Sequence, residues 1–402
     1  MGVKRASTAF TLEARIKRRL RKHLSDLGFE KSNDGALVLP GEGKDIIRSL
    51  HRQQRDEKVR ENSTFITLKL PQLLKRFASG SDIDPSRINP VLQRIASDTW
   101  ESDLFRLASL TWSVPVSAGF GRRIRYLVWD ESNSKLIGLV AIGDPVFNLA
   151  VRDDLIGWNV ADRAERLVNV MDAYVLGAVP PYNMLLGGKL VACLLRTREV
   201  YEDFAKLYGH KEGIISKKDK RARLLAITTS SSMGRSSIYN RLKLGQTNYF
   251  RAIGYTGGWG HFHIPDDLFN DMRDHLRSVK HAYADLHKFG EGPNWRLRTV
   301  KAALGLLDFK QDLLKHGIKR EVFLCETAEN SLQLLAGTGV RANLKSLLSV
   351  KDVGDLAVHR WVVGRAERNP EYQGWSRDDI QALLLESGQT GRARTNTSNA
   401  AR

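Results

Sequence analysis

At Ile124 the hydrophobic pattern of the chain changes, and no other feature limits the fold as much. IRYLVWD (124–130) and KLIGLVAIGD (135–144) are short runs rich in β-branched and aromatic residues, joined by the polar ESNS. A connection of that length between two such runs predicts an antiparallel hairpin. On both sides the pattern is helical, so the expected class is α+β. A central mixed sheet would lie between a helical N-terminal region and a helical C-terminal region.

TLEARIKRRLRKHLSDL (11–27) places Leu12, Ile16, Leu20, Leu24 and Leu27 at helical spacing and fills the remaining faces with basic residues. Thr11 suits the helix start and Gly28 its stop. Arg15, Arg18 and Arg19 on this helix are candidate phosphate contacts; the alternative is a solvated face over a small core. Residues 45–60 read as a second, charged helix. After 62–77, the turn-rich SGSDIDPSRINP (79–90) marks a junction near residue 80.

Beyond the hairpin, RLVNVMDAYVLG (166–177) reads as a buried strand and AVPPYN as a turn. GGKLVACLLRTREVYEDFAKLYG (187–209) then reads as a helix, and LLAITTSSS (224–232) as a further strand. Pro265, Asp266 and Asp267 open a helix well. From Val279 to about Leu385 the pattern is mostly helical. The expected organisation is a basic helical region over 1–80, a core over 81–278, a helical region over 279–386 and a disordered tail over 387–402.

The net charge is +18, from 63 Lys and Arg against 45 Asp and Glu. Such a balance favours a polyanion, nucleic acid first, with an acidic protein or plain solubility as alternatives. Cys193 and Cys325 stand far apart and form no metal-type spacing, so two buried thiols in a reducing compartment are expected. No apolar run is long enough to span a membrane and the start has no signal-peptide pattern, which makes the cytoplasm the default. Ala6 breaks the myristoylation spacing that Gly2 and Ser7 would need.

Three strings carry a resemblance: GLVAIGDP, NVMDAYVLGAVPPYNMLLGGKLVACL and TTSSSMGRSSIYNRLKLGQTNYFRAIGYTGGWGHFHIP, in order over residues 138–265. They resemble the blocks of the DruA family. The resemblance implies a bacterial Druantia antiphage defence system, in which DruA works with DruB, DruC, DruD and the large helicase-like DruE; it implies no particular reaction. A second resemblance is to the element order of the GNAT acyltransferase fold. In that fold a splayed strand leads to a turn whose backbone N–H groups hold the pyrophosphate of acyl-CoA at a helix N-terminus. The corresponding turn is PPYNMLLGGKL, with Gly187, Gly188 and Lys189 suited to an anion. Asn183, Met184 and Leu185 occupy the positions of the usual Arg or Gln and first Gly, and no cofactor is assigned.

Several polar groups are weighed against structural roles. His261 and His263, two apart, would share a strand face and converge on a proton, a phosphate or, with Asp266 or Asp267, a metal; two hydrogen-bonded histidines are the alternative, and no metal site is assigned. Arg235, Ser236 and Arg241 would form an anion cradle at a helix start, or Ser236 or Ser237 would simply cap it. Asp172 is an acid in an apolar run and is either a catalytic base or the partner of Arg166 or Arg241. Asp153 and Asp154 read as caps or divalent-cation ligands. Two function classes follow: a nucleic-acid-contacting subunit acting with a helicase-like partner, or an enzyme using the 236–263 region, an acyltransferase or a nucleic-acid-modifying one.

Overall fold

A computed structural model of the chain describes residues 11–31, 37–38, 41, 43–117, 119–212, 219–261, 264–285, 293–339 and 341–389. Of the expected tail over 387–402, residues 387–389 close the Asp379–Gln389 helix and the rest, like the Gly2 and Ser7 positions, lies outside the described residues. Two compact units emerge, one of residues 1–54 and 257–319, the other of 55–256 and 320–402. The segment 257–319 contributes to the first unit before the chain returns to the second.

The first unit is helical. Leu12–Asp26 buries Ile16, Leu20 and Leu24, and Thr11 accepts from the Ala14 N–H at 3.2 Å, so the expected start is observed. This helix contacts Asp266–Ser278, which buries Leu268, Phe269, Met272 and Leu276. The Pro293–Leu306 helix packs on the latter, with Trp295 edge-on to Phe269 at 5.6 Å.

The second unit is built on a seven-stranded mixed sheet. Its strands are β1 (Pro90–Arg94), β2 (Arg123–Asp130), β3 (Lys135–Gly143), β4 (Val170–Ala178), β5 (Ala226–Ser230), β6 (Arg251–Tyr255) and β7 (Glu321–Glu326). Across the sheet they run β6-β7-β5-β4-β3-β2-β1. The β2/β3 hairpin matches expectation, with Tyr126 opposite Val140 and Leu127 opposite Leu139. Residues 136–143 of β3 are all buried, as befits a central strand covered on both faces. On one face lie Gly187–Leu194, Arg198–Tyr208 and Val350–Ala357; on the other Ser63–Leu73, Trp100–Ser109 and Ala150–Ile156 supply the cover.

Three expectations need correction. The C-terminal stretch is not wholly helical: Val322, Phe323, Leu324 and Cys325 form an unbroken apolar run because β7 is buried on both faces, so it shows no strand alternation. The 187–209 stretch is two helices, broken at Leu195–Thr197, where Thr197 turns extended and its hydroxyl bonds the Leu194 carbonyl at 2.8 Å. No helix starts at Arg235; residues 235–242 are irregular. Cys193 and Cys325 are free and buried in one core cluster, as expected, and burial pushes both thiols up, Cys325 to about 12.

The costliest charge in the core is Arg152, fully buried. Its guanidinium donates to Asp153 through Nε and Nη2 at 2.8 and 2.6 Å and to the carbonyls of Val146 and Phe147 at 3.0 and 2.9 Å. Arg163 donates to the other Asp153 oxygen at 2.7 Å. Asp153 is therefore a buried counterion rather than a helix cap or a divalent-cation ligand. Asp153→Ala leaves Arg152 buried without its carboxylate, and urea denaturation is expected to show a loss of about 3–5 kcal/mol. Asp154→Ala, at an exposed neighbour, is expected to change stability by less than about 0.5 kcal/mol.

Candidate functional site

β4 and β5 are the parallel neighbours of the sheet, and their ladder is short. It runs from Val170↔Ala226 to Asp172↔Thr228 and then the strands part. The carbonyls that β4 leaves unpaired beyond this point still need donors. Thr229 Oγ1 donates to Ala173 O at 2.9 Å and the Tyr239 hydroxyl to Leu176 O at 3.1 Å. The Tyr239 ring is held between Phe250 and Phe323, each at 5.4 Å, and burial pushes its phenol well up.

Asp172 sits at the fork. Thr228 Oγ1 donates to its carboxylate at 2.7 Å. Loss of water raises its pKa from 3.8 to about 6, opposed by the Thr228 hydrogen bond and by the Arg152 charge, while the residue keeps intermediate accessibility. The expected Arg partners are elsewhere: Arg166 bonds Asp162 at 2.6 Å, and Arg241 is exposed with a φ of 57°. Asp172 is thus a partly accessible acid poised to titrate near neutrality.

Past the fork, the chain turns through Tyr182–Leu185 into the Gly187–Leu194 helix. The two glycines permit close approach, but by protein atoms. A Cβ on Gly187 would stand 2.5 Å from the Tyr182 carbonyl oxygen, and one on Gly188 3.3 Å from the Ile238 side chain. Ile238 belongs to the segment after β5, which therefore crosses over this helix start. Within that segment Ser236 makes a local turn, its Oγ accepting from the N–H groups of Ile238 and Tyr239 at 3.1 Å each, while its own N–H donates to Glu321 at 2.9 Å. Ser236 is a buried structural residue, whereas Arg235 and Arg241 point outward.

Lys189 lies one turn in, half-buried, its pKa lowered by burial and by the charge of Arg360. Its Nζ stands 5.6 Å from the centre of the Trp361 ring, and the Arg360 guanidinium 6.0 Å from the same ring. Arg365 Nε donates to Met184 O at 3.2 Å, on the turn itself. None of Lys189, Arg360 and Arg365 forms an ion pair with a described residue. Arg360 and Trp361 ride on a π-helical stretch, Val358–Val363, between Val350–Ala357 and Gly364–Arg368. Such a widened turn redirects side chains and recurs at functional sites. Sequence periodicity had no means of flagging it, since these residues lie some 170 positions from Lys189.

A further signal was readable and passed over. Between Lys220 and Pro265 there is no Asp or Glu. In the second unit this stretch exposes Arg221, Arg223, Arg235, Arg241, Lys243 and Arg251, of which Arg251 has a carboxylate partner, Glu326 at 3.2 Å.

The remaining candidates lie in the first unit, apart from this grouping. Arg19 pairs with Asp267 and Asp271, and Arg15 approaches Asp271 at 3.6 Å, so part of the basic helix face is neutralised within its own unit. Arg18 is exposed. His261 occupies a bend, not a strand, and burial together with the Arg296 charge lowers its pKa to about 4, so it is neutral at pH 7. His263 lies outside the described residues. Asp266 bonds Arg296 at 2.6 Å, and no cluster of metal-binding side chains is found among the described residues. Nor is any described helix long and apolar enough to cross a membrane.

Residues 41–337 match the profile of the family described as DruA, Druantia protein DruA. Over 368 residues the chain is 62% identical to the Druantia protein DruA of Escherichia coli (strain UMEA 4076-1), covering 92% of this chain and 91% of that protein. No solved structure matches. With well over half its length matched by the profile and nearly all of it aligned to a curated member, the chain belongs to the DruA family.

Proposed function

We propose that the chain is a component of a bacterial Druantia antiphage defence system and its nucleic-acid-contacting subunit, acting in the cytoplasm with DruB, DruC, DruD and the helicase-like DruE. Family membership supports the first part. The observation that carries the second is the approach of Lys189 and Arg360 to the Trp361 ring with Arg365 on the adjoining turn, cations with no carboxylate partner among the described residues, beside an acid-free stretch that exposes Arg235 and Arg241. Unpaired cations around an aromatic ring suit a phosphate backbone with a base stacked nearby, since each phosphate met releases a counterion and every base offers a π-face. Arg18 on the first helix is a secondary contact in this reading.

The enzyme reading draws on Asp172 and on a GNAT-like order: a hairpin, a parallel pair that parts, and a turn and two helices crossing between its members. Tyr239 weighs against acyl-CoA, because its hydroxyl already serves the Leu176 carbonyl that the parting exposes, and Ile238 covers Gly188. A carboxyl titrating near 6 is nevertheless suited to take up a proton at neutral pH.

The two readings separate experimentally. Binding of the protein to double-stranded DNA across a salt series is expected to lose about 0.9 in the slope of log K against log salt for each phosphate contact removed. Lys189→Glu with Arg360→Glu should therefore lower the slope by about 2 and weaken binding at every salt concentration. An unchanged slope in the folded double variant would sink the nucleic-acid reading.

Asp172→Asn tests the other. Because the folded pKa lies above the unfolded one, the parent loses stability as pH rises from about 4 through about 6. The variant is expected to equal the parent near pH 4 and to exceed it at pH 7.5, by up to about 2 kcal/mol after allowance for partial exposure. A more stable variant that abolishes defence would mark Asp172 as functional; a more stable variant that defends normally would leave the enzyme reading without its acid.

A further inference from the structure

In the helical first unit, Trp259 keeps 46% of its surface exposed to water. An indole gains much from burial, so its place outside a core calls for a reason. The backbone around it is fixed. Trp259 forms an antiparallel bridge with Lys315, and on either side of it the Gly260 N–H donates to the Leu314 carbonyl and the His316 N–H to the Gly258 carbonyl, each at 3.0 Å. Gly258 takes a φ of +68°, and a Cβ on it would stand 3.4 Å from the Gly317 backbone, so the two segments turn and meet here because no side chain intervenes. The ring is therefore displayed from a pinned strand rather than from a loose loop.

Cations from two separate elements flank the ring. Lys301 Nζ, from the Pro293–Leu306 helix, and Lys315 Nζ each lie 5.7 Å from its centre. That is near the outer limit of about 6 Å for a cation–π contact, so charge neighbours the ring without burying it. Arg298, three residues before Lys301 and so on the same side of the helix, is exposed as well. Neither Arg298 nor Lys301 forms an ion pair with a described residue, and Asp308, the first acid after Lys301, lies 3.6 Å from Lys17. Towards the N-terminus from Trp259 there is no acid back to Lys220.

We infer that Trp259, with Lys301 and Lys315, is a stacking site for an unpaired base of a nucleic-acid single strand. The indole offers its π-face to the base and the lysines meet the phosphates on either side of it. In a duplex each base is already stacked on its neighbours, so the ring gains a base only from an unpaired strand. An apolar protein surface would cover the ring but strip the lysines of water without answering their charge. The site lies in the other unit from the Lys189 grouping and does not rest on it.

Fluorescence anisotropy of the full-length protein with labelled oligo-dT, with an abasic strand of the same length and with a duplex tests the inference. Trp259→Ala is expected to weaken oligo-dT binding about tenfold and Trp259→Phe, which keeps a ring, no more than about threefold. The abasic strand and the duplex should bind the alanine variant as they bind the parent. Lys301→Gln with Lys315→Gln should lower the single-strand salt slope by about 1.4, at about 0.7 for each phosphate contact. Lys189→Glu with Arg360→Glu acts on the duplex slope and should leave the effect of Trp259→Ala on oligo-dT intact, so each reading fails separately. No binding of oligo-dT by the parent, or a Trp259→Ala protein with the parent's unfolding midpoint that binds oligo-dT unchanged, overturns the inference and leaves the ring to a protein partner. An equal loss on the abasic strand overturns it as well. Should the alanine variant fail to fold, an unchanged slope in the lysine double variant does the same.

Discussion

Two parallel strands that part must leave backbone carbonyls without ladder partners, and the second unit is organised around satisfying them. β4 pairs with β3 from Asp172 to Ala178 but with β5 only from Val170 as far as Asp172. The strand cannot close the gap by itself, because β5 is committed on its other side to β7 over all five residues. Donors must therefore come from side chains, and they come from Thr229 and from Tyr239, the latter delivered by the loop after β5. To reach Leu176, that loop has to cross the start of the Gly187–Leu194 helix, which is why Ile238 lies over Gly188, while Gly187 is crowded by the Tyr182 carbonyl of the turn before it. The same constraint strands Asp172 at the mouth of the fork, where a carboxylate is short of water and keeps one hydroxyl partner.

Charge is used in two opposite ways within this unit. Arg152 is wholly buried and every face of its guanidinium is answered, by a carboxylate and by two carbonyls; its task is structural, and its neighbours repay its desolvation. Lys189 and Arg365 are also partly withdrawn from water, with the exposed Arg360 beside Lys189, yet no carboxylate among the described residues answers them. Cations held close to one another without an acid raise the local potential and make an anion's arrival favourable. A fold that needed these side chains only for solubility could leave them extended into solvent, as Arg235 and Arg241 are. The π-helical turn that brings Arg360 and Trp361 towards Lys189 is a departure from regular helix geometry that packing alone does not require.

What the sequence displayed and what it concealed divide along the range of the interactions. The β2/β3 hairpin was legible because two runs of β-branched and aromatic residues and the short polar connection between them are local. The Leu12–Asp26 helix, with Thr11 at its start, was legible for the same reason. β7 was not, because a strand buried on both faces writes four apolar residues in a row and shares that pattern with a buried helix. The run from Arg235 read as a helix start; Tyr239 and Leu242 are in the core, but the segment is irregular and the Tyr239 hydroxyl is spent on the Leu176 carbonyl. Asp172 was noticed as an acid among apolar residues, yet its partner Thr228 lies on the neighbouring strand, where no spacing rule points.

The blocks that carry the family resemblance are, in this light, a description of the fork. NVMDAYVLG is β4 with its acid, AVPPYN and GGKL are the turn and the crowded helix start, TTSSS is β5, and RSSIY delivers Tyr239. Each is constrained by the others through backbone groups rather than through a substrate, so their joint appearance specifies the architecture and not a reaction. Chemistry specific to the family should then be sought where the fork does not dictate the residue: at the Asp172 carboxyl, which the backbone does not need, and at Arg360 and Trp361, which belong to none of those blocks and nevertheless face Lys189.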